Sequence, residues 1–193
     1  MGKFEWSGGI ENYINALASG APVPGGGSAA AAAGAFGCGL AIMAIATTLK
    51  LKSVNPAFVT PLRNVEDALR ISLEKLKNFV TEDSIVYQKY LETKKAAKND
   101  PSVPVGPAVK EIAVVPIGCA LECLAVLKEM EKIKSGISPI IISDMNSAEH
   151  LLRAALKCCV ENMKINLPYV KDAAVEEMIK QTIDAALTGA GAR

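Results

Sequence analysis

Residues 22–52 read PVPGGGSAAAAAGAFGCGLAIMAIATTLKLK, and they carry the strongest indication of the fold in the sequence. Pro22 and Pro24 hold an extended approach, and the three glycines that follow permit backbone angles that other residues resist. Ser28 is then placed to cap a long apolar helix that extends to about Lys52. Glycine lowers helix stability by about 1 kcal/mol relative to alanine, so a glycine-rich helix must recover stability by close packing. We therefore expect its small-residue face to meet another backbone, such as its own copy in a dimer; that face comprises Ala30, Gly34, Gly37, Ala41 and Ala44.

Helical signals continue on both sides of this segment. Apolar residues at helical spacing predict a short amphipathic helix over residues 10–19. A second long helix is predicted to begin with Thr60 as its cap and Pro61 in its first turn. Further helices are predicted over about 108–133, from the capping-box spacing of Asn146 and Glu149 to Pro168, and over about 172–187. No repeat or second domain is indicated, so residues 1–193 are predicted to form one all-α domain, a bundle of long helices.

Composition excludes several classes of function. The 21 basic and 20 acidic residues give a net charge of +1, which argues against a protein that neutralises nucleic-acid phosphates. One histidine and five cysteines without a CxxC pair fit neither a metal centre nor a disulfide framework, so we expect no metal. This cysteine usage, and an N-terminus without an apolar signal-peptide core, predict a cytoplasmic protein.

The uncharged stretch 12–49 raises a membrane alternative. Residues 29–46 are continuously apolar, which reaches the lower edge of the roughly 17–25 residues that span a bilayer. Much of the stretch is alanine and glycine, which contribute little apolar area each. We therefore interpret it as a buried helix of a bundle and expect no membrane contact.

The glycine turn is the first candidate for chemistry. Its spacing, Gly25-x-Gly27-x-x-Ala30, formally fits a dinucleotide-binding fingerprint. Two prolines rather than a strand precede it, and the next charge is Lys50, so that interpretation is rejected. Two interpretations stay open. The turn either only begins a helix, or its exposed N–H groups hold a carboxylate or a ring carbonyl.

Two aspartates are candidates for proton transfer. Asp83 lies amid Val80, Val86 and Tyr87, so it either reaches water at the margin of the apolar stripe or has a raised pKa suited to acid/base work. Asp144 follows an apolar run and begins a predicted helix, so it either only caps that helix or takes part in proton transfer.

Two asparagines lie on the buried face predicted for the last long helix. Asn162 and Asn166 are one turn apart, and buried amides need hydrogen-bond partners. Those partners are either backbone groups of a neighbouring helix or a polar ligand. His150, by contrast, shares a face with charged residues and is interpreted as solvated.

Four patches recur in an order that is characteristic of one family. They are PVPGGGSAAA at 22–31, EDS at 82–84, VPI at 115–117, and ISD at 142–144 with NMKINLPYVKD at 162–172. In this order the chain resembles the folate cyclodeaminase/cyclohydrolase family. That family includes the cyclodeaminase domain of formiminotransferase-cyclodeaminase and a free-standing methenyltetrahydrofolate cyclohydrolase. The resemblance covers nearly the whole chain.

The resemblance implies an all-helical homodimer that acts on one-carbon derivatives of tetrahydrofolate, with no cofactor beyond the folate substrate. Cyclodeamination closes the N5-formimino group onto N10 and expels ammonia, whereas cyclohydrolysis adds water to the N5,N10-methenyl carbon. Asp83 and Asp144 would supply acid/base catalysis. Lys50 and Lys52 would bind the carboxylates of the glutamate part of the folate. The implied substrate contacts are Pro24, Gly25, Gly26, Gly27, Ser28, Lys50, Lys52, Ser143, Asn162 and Asn166.

The chain departs from the family pattern near the end of the glycine-rich helix. Ala46-Thr47-Thr48 stands where the family has Asn-Leu-Thr, and its lysine cluster is thinned to Lys50 and Lys52. A relative that binds folate without catalysis, or that only dimerises, therefore stays open as the alternative.

Overall fold

The computed structural model describes residues 9–191, which form α-helices joined by short turns and contain no strand. The N-terminal residues used to argue against a signal peptide lie outside this range. Two single-turn 3-10 segments, Lys134–Gly136 and Leu167–Tyr169, follow α4 and α5. The prediction of an all-α fold is confirmed. The helices are α1 (Gly9–Ala18), α2 (Gly26–Lys50), α3 (Pro56–Asn99), α4 (Gly106–Ile133), α5 (Ile142–Asn166) and α6 (Ala173–Gly189).

Helices α2, α3, α4 and α5 form an antiparallel four-helix bundle in which each packs against the next and α5 returns to α2. The start of α2 therefore lies beside the end of α5 and beside the middle of α3. Helix α6 covers α4 and α5 on the outside. The centre of the bundle is filled by fully buried side chains that include Ile45, Leu69, Val126 and Leu152.

The glycines of α2 let this helix pack closely inside the bundle. A Cβ atom on Gly37 would lie 2.9 Å from the carbonyl oxygen of Ala148 and 2.9 Å from the side chain of Leu152. A Cβ atom on Gly34 would lie 2.9 Å from the sulfur of Cys123. The small-residue face is thus occupied by the chain's own helices, and the prediction that it meets a second copy is wrong.

Helix α2 is long and apolar enough to cross a membrane by length and composition, with a mean hydropathy of 1.9 over its most apolar 18 residues. Half of that window is buried inside the bundle. Its contacts with α3 and α5 are those of a core helix.

Three helices begin earlier than their predicted caps. The N-cap of α2 is Gly25, which offers no side-chain bond, and Ser28 lies inside the helix. Helix α3 begins at Pro56, and Asn55 caps it by accepting the Ala57 N–H at 3.0 Å. Thr60 is therefore not a cap.

Of the two later helix starts, the prediction for α5 is wrong and the prediction for α6 is confirmed. Helix α5 begins at Ile142 without a side-chain cap, so Asn146 lies within the helix and forms no capping box. Helix α6 begins after Asp172, whose carboxylate accepts the N–H groups of Ala174 and Val175. The predicted start of the last helix is confirmed.

Candidate functional site

A pocket of about 240 Å³ opens where α2 begins, at one end of the bundle. The antiparallel arrangement produces it, because the glycine turn, the middle of α3, the start of α4 and the end of α5 all meet there. The start of α2, the middle of α3 and the end of α5 contribute polar groups to the pocket, and its other lining side chains are mainly apolar. The lining residues are Pro22, Val23, Gly25, Gly26, Gly27, Asp83, Val86, Tyr87, Ile112, Asn162, Ile165 and Asn166.

The glycine turn supplies backbone donors to the pocket. The Val23–Pro24 peptide bond is cis, and Gly25 is extended at the N-cap of α2. The first N–H groups of a helix have no partner within the helix. Those of Gly26 and Gly27 have none elsewhere among residues 9–191. They also lie at the positive end of the helix dipole, which favours an oxygen acceptor in the pocket.

Gly27 has a second role that depends on its missing side chain. A Cβ atom at this position would overlap the carboxylate of Asp83. A Cβ atom on Gly26 would instead make an ordinary contact with Asn162, at 3.5 Å. Glycine at position 27 therefore allows the carboxylate of α3 to lie directly against the start of α2.

Asp83 is a half-buried carboxyl group held at this position by the backbone. The Ser28 N–H donates to its Oδ2 at 2.9 Å. Burial raises the pKa of Asp83 above its ordinary value, the Ser28 N–H bond opposes that rise, and negative charge on the Cys119 sulfur adds to it. The apolar sequence neighbours of Asp83 predict this rise in pKa. A carboxyl group with a raised pKa can exchange a proton closer to neutral pH.

Ser28 and Tyr13 form a layer behind Asp83. Ser28 is fully buried, and its hydroxyl donates to the carbonyl of Val80 at 2.7 Å. Because that bond uses the only hydroxyl proton of Ser28, the Tyr13 O–H is the donor in the 2.9 Å contact between the two hydroxyls. Burial raises the pKa of Tyr13, the bond to Ser28 opposes this, and the charge of Asp83 raises it further. The hydrogen bond from Tyr13 to Ser28 holds α1 next to the site.

Asn162 and Asn166 use their N–H groups on the protein. Asn162 donates to the carbonyl of Cys158 at 2.8 Å, and Asn166 donates to the carbonyl of Ile112 at 3.0 Å. The two amide oxygens have no donor among residues 9–191. They are therefore free to accept hydrogen bonds from N–H groups of a ligand.

The structure separates the other predicted residues from this pocket. Pro24 and Ser28 adjoin the pocket without lining it. Lys50 ends α2, 24 residues after Gly26 and hence about 36 Å away, and Lys52 follows it. Asp144 and Ser143 lie in the first turn of α5, and Asp144 is about 27 Å from Asn162 on the same helix. Within one chain, the expectation that Asp83 and Asp144 share a site is wrong, because α5 carries Asp144 to the opposite end of the bundle.

Sequence reasoning missed Tyr13, which lies behind Asp83, and two residues of the pocket wall. Tyr13 belongs to a helix with no buried residue, so its pattern gave no sign of a contact with the site. Ile112 and Ile165 come from different helices and form part of the apolar wall. Helical spacing could have predicted Ile165 as a pocket residue, because it lies on the same helix face as Asn162 and Asn166. In the described part of the chain, no group of three His, Cys, Asp or Glu side chains is arranged to hold a metal ion.

Comparisons with known proteins agree on one family. The family model described as formiminotransferase-cyclodeaminase matches residues 9–185. The chain is 29% identical over 200 residues to the methenyltetrahydrofolate cyclohydrolase of Methylorubrum extorquens, covering 95% of this chain and 90% of that protein. Its fold matches the crystal structure of formiminotetrahydrofolate cyclodeaminase from Thermotoga maritima with a TM-score of 0.85 at 22% identity. That alignment covers 96% of this chain and 91% of the other, and shows a common fold.

Proposed function

This chain belongs to the formiminotransferase-cyclodeaminase family, and from that premise we propose that it is an enzyme acting on one-carbon derivatives of tetrahydrofolate. The observation that carries the proposal is the pocket at the start of α2, which combines the Asp83 carboxyl, the backbone N–H groups of Gly26 and Gly27 and two amide acceptors. As part of this proposal, the enzyme is a cytoplasmic homodimer that binds neither nucleic acid nor membrane and needs no cofactor beyond its substrate.

Cyclohydrolysis of N5,N10-methenyltetrahydrofolate is the favoured reaction, because the cyclohydrolase of Methylorubrum extorquens aligns with nearly the whole chain. Water adds to the methenyl carbon and gives a tetrahedral carbon between two nitrogens. One of the two carbon–nitrogen bonds then breaks, and the carbon stays on the other nitrogen as a formyl group. The attacking oxygen loses two protons, one on attack and one when the tetrahedral carbon becomes the formyl group. One proton goes to the departing nitrogen, and the other is released to solvent, which accounts for the positive charge of the methenyl group.

Asp83 is suited to move the proton that reaches the nitrogen. Its Oδ2 is held by the Ser28 N–H, which fixes the carboxyl group without neutralising it. The ionised form accepts the proton of the attacking water, and the carboxylic acid so formed returns it to the departing nitrogen. Partial burial raises the pKa of Asp83 and brings the two forms closer in energy near neutrality.

The remaining groups of the pocket are suited to a pteridine ring. Its ring N–H groups are donors for the amide oxygens of Asn162 and Asn166, and its ring carbonyl is an acceptor for the N–H groups of Gly26 or Gly27. Apolar side chains such as Ile112 cover the ring faces. Because a volume of about 240 Å³ is below the roughly 300–1,000 Å³ of pockets that enclose a whole drug-sized ligand, the glutamate end of a folate would lie outside.

Cyclodeamination is the second candidate, favoured by the match in fold to formiminotetrahydrofolate cyclodeaminase. Here N10 attacks the formimino carbon, and the resulting tetrahedral carbon expels ammonia. The same carboxyl group would protonate the departing nitrogen. Both reactions therefore use one site, and only an assay with each substrate separates them.

The test measures turnover of both substrates by the wild-type protein and by Asp83→Asn. Asp67→Asn is the matched control, since Asp67 is an exposed carboxylate on the same helix, α3. We expect a fall in methenyl absorbance with the wild type and the control, and a loss of at least about a hundredfold with Asp83→Asn. Turnover that is unchanged in Asp83→Asn would refute the assigned role.

Two further measurements complete this test. Asp144→Asn tests the second predicted catalytic residue, and unchanged turnover would remove it from the mechanism. Calorimetry with a reduced folate tests the non-catalytic alternative, which predicts binding without turnover of either substrate. Absence of both binding and turnover would contradict the proposed function.

A further inference from the structure

The pocket lies next to a part of α3 that continues well past Asp83. Helix α2 begins at Gly26, and its first turn is level with Asp83, so α2 does not cover residues 84–99 of α3. The start of α4 packs along another side of this segment, where Lys89 pairs with Glu111 at 2.7 Å. One side of residues 84–99 therefore remains uncovered by α2 and begins at the pocket.

A stripe of three side chains runs along α3 from Asp83 on this side. Successive spacings of four, three and four residues place Tyr87, Tyr90 and Lys94 in line with Asp83 on one helix face. We call these three residues the aromatic stripe of α3. Tyr87 lines the pocket and is 37% exposed, so a ligand that leaves the pocket on this side can contact its ring.

The members of the aromatic stripe contact one another. The ring centroids of Tyr87 and Tyr90 are 5.8 Å apart. The Lys94 Nζ lies 5.5 Å from the centroid of the Tyr90 ring, within the range of a cation–π contact. A carboxyl group, two aromatic rings and an ammonium group therefore follow one another along the helix in this order.

The Lys94 ammonium is available to an anion. No ion pair among residues 9–191 includes Lys94, whereas Lys89 and Lys110 are paired with acidic side chains. The cation–π contact with Tyr90 limits the positions that the ammonium group occupies and leaves N–H donors free. A carboxylate that reaches this point would be its acidic partner.

The spacing along the stripe matches the covalent length of a folate. Tyr90 follows Asp83 by two helical turns, which is about 11 Å along the axis. The Lys94 ammonium is near the level of Tyr90, because long side chains of a helix point back toward its N-terminus. Standard bond lengths place the glutamate carboxylates of a folate about 10 Å from its one-carbon group, with the benzoyl ring between them.

We propose that the aromatic stripe of α3 is the subsite for the benzoylglutamate part of the substrate. With the one-carbon group at Asp83, the benzoyl ring packs on the ring of Tyr87, and a glutamate carboxylate binds the Lys94 ammonium. Tyr90 holds Lys94 in place. This inference rests on the proposed function and names further residues that determine its substrate specificity. Because these contacts are the same in the ground state and the transition state, they act on KM rather than on kcat.

The first experiment tests the carboxylate contact with two substrates. One is N5,N10-methenyltetrahydrofolate, and the other is its analogue in which a neutral carboxamide replaces the glutamate. Lys94→Ala removes the ammonium group, and Lys95→Ala is the matched control, since Lys95 is also exposed but lies about 100° away around the helix. We expect Lys94→Ala to raise KM about three- to fivefold for the folate, with a KM ratio close to one for the carboxamide.

Two results of this experiment would overturn the inference. A KM for the folate that is unchanged in Lys94→Ala would show that Lys94 makes no contact with the substrate. An equal rise in KM for both substrates, or the same rise in Lys95→Ala, would show an effect other than recognition of the carboxylate. Both results leave the proposed function standing, because the wild type still turns over the folate.

The second experiment tests the contact of Tyr87 with the benzoyl ring, which both substrates contain. We expect Tyr87→Leu to raise KM about fivefold for both substrates, and Tyr87→Phe, which keeps the ring, to recover most of the wild-type KM. A wild-type KM in Tyr87→Leu would overturn this part of the subsite. A wild type that neither binds nor turns over either substrate would contradict the proposed function, and the inference would fail with it.

Discussion

Replacing Gly27 by alanine tests whether the Asp83 carboxyl is held against the start of α2. The added Cβ atom would overlap the carboxylate, so Asp83 must move and lose the hydrogen bond from the Ser28 N–H. Gly26→Ala is the matched control for stability, because its Cβ atom would make an ordinary 3.5 Å contact with Asn162. The two substitutions are adjacent and chemically identical, and differ in what the new methyl group meets.

The size of the effect follows from the contacts that are lost. A hydrogen bond to a charged group contributes about 1.5–3 kcal/mol to stability. Alanine returns up to about 1 kcal/mol through its greater helix propensity. The expected net loss is about 0.5–2 kcal/mol, which lowers the melting temperature by about 1–8 °C in a protein of this length. A displacement of Asp83 by about 1 Å should also lower kcat about a hundredfold.

Two measurements check this prediction. Thermal unfolding followed by circular dichroism gives the melting temperature, and the decay of methenyl absorbance gives kcat. We expect Gly27→Ala to be less stable and nearly inactive, with Gly26→Ala at or above the wild-type melting temperature. A Gly27→Ala variant with wild-type stability and wild-type kcat would show that Asp83 does not depend on this contact.

Three further substitutions test the same account. Burial raises the pKa of Asp83, so the folded protein loses stability as the pH rises from the ordinary carboxyl pKa through the raised one. Asp83→Asn lacks this loss, so its melting temperature minus that of the wild type should increase from about pH 3 to about pH 7. A difference that stays constant with pH would contradict a raised pKa. Tyr13→Phe removes the O–H that donates to Ser28, and calorimetry should show a loss of about 1 kcal/mol, whereas an unchanged transition would mean that the contact contributes nothing. Gly37→Ala places a Cβ atom 2.9 Å from the carbonyl oxygen of Ala148 and should lower the free energy of unfolding in urea by about 1–3 kcal/mol; an equally stable variant would show that α2 and α5 can separate freely.

The existence of the long helices could be predicted from the sequence because their apolar residues repeat at helical spacing. The first residues of α2, α3 and α5 could not, because several residues near each of these starts are suited to capping. Ser28 has the side chain of a cap, yet its hydroxyl bonds to Val80 in a neighbouring helix. Thr60 precedes a proline, but Asn55 and Pro56 provide the same signal one turn earlier.

The polar residues of the pocket could be predicted one by one from the sequence, but the helix packing that brings them together could not. The glycine turn, Asp83 and the two asparagines were singled out separately, and the antiparallel packing of α2, α3 and α5 brings them together. Tyr13 gave no local signal, since its contact depends on where α1 lies. Asp144 resembled Asp83 in sequence context, but its position at the start of α5 places it at the far end of the bundle. Their catalytic roles stay predictions.

The most direct test is a crystal structure of this protein with a bound reduced folate. We expect the pteridine in the pocket between Gly26 and Asn166, with its one-carbon group within hydrogen-bonding reach of the Asp83 carboxyl or of a water bound to it. A folate bound elsewhere, with this pocket empty and Asp83 without contact to the ligand, would contradict the proposed function.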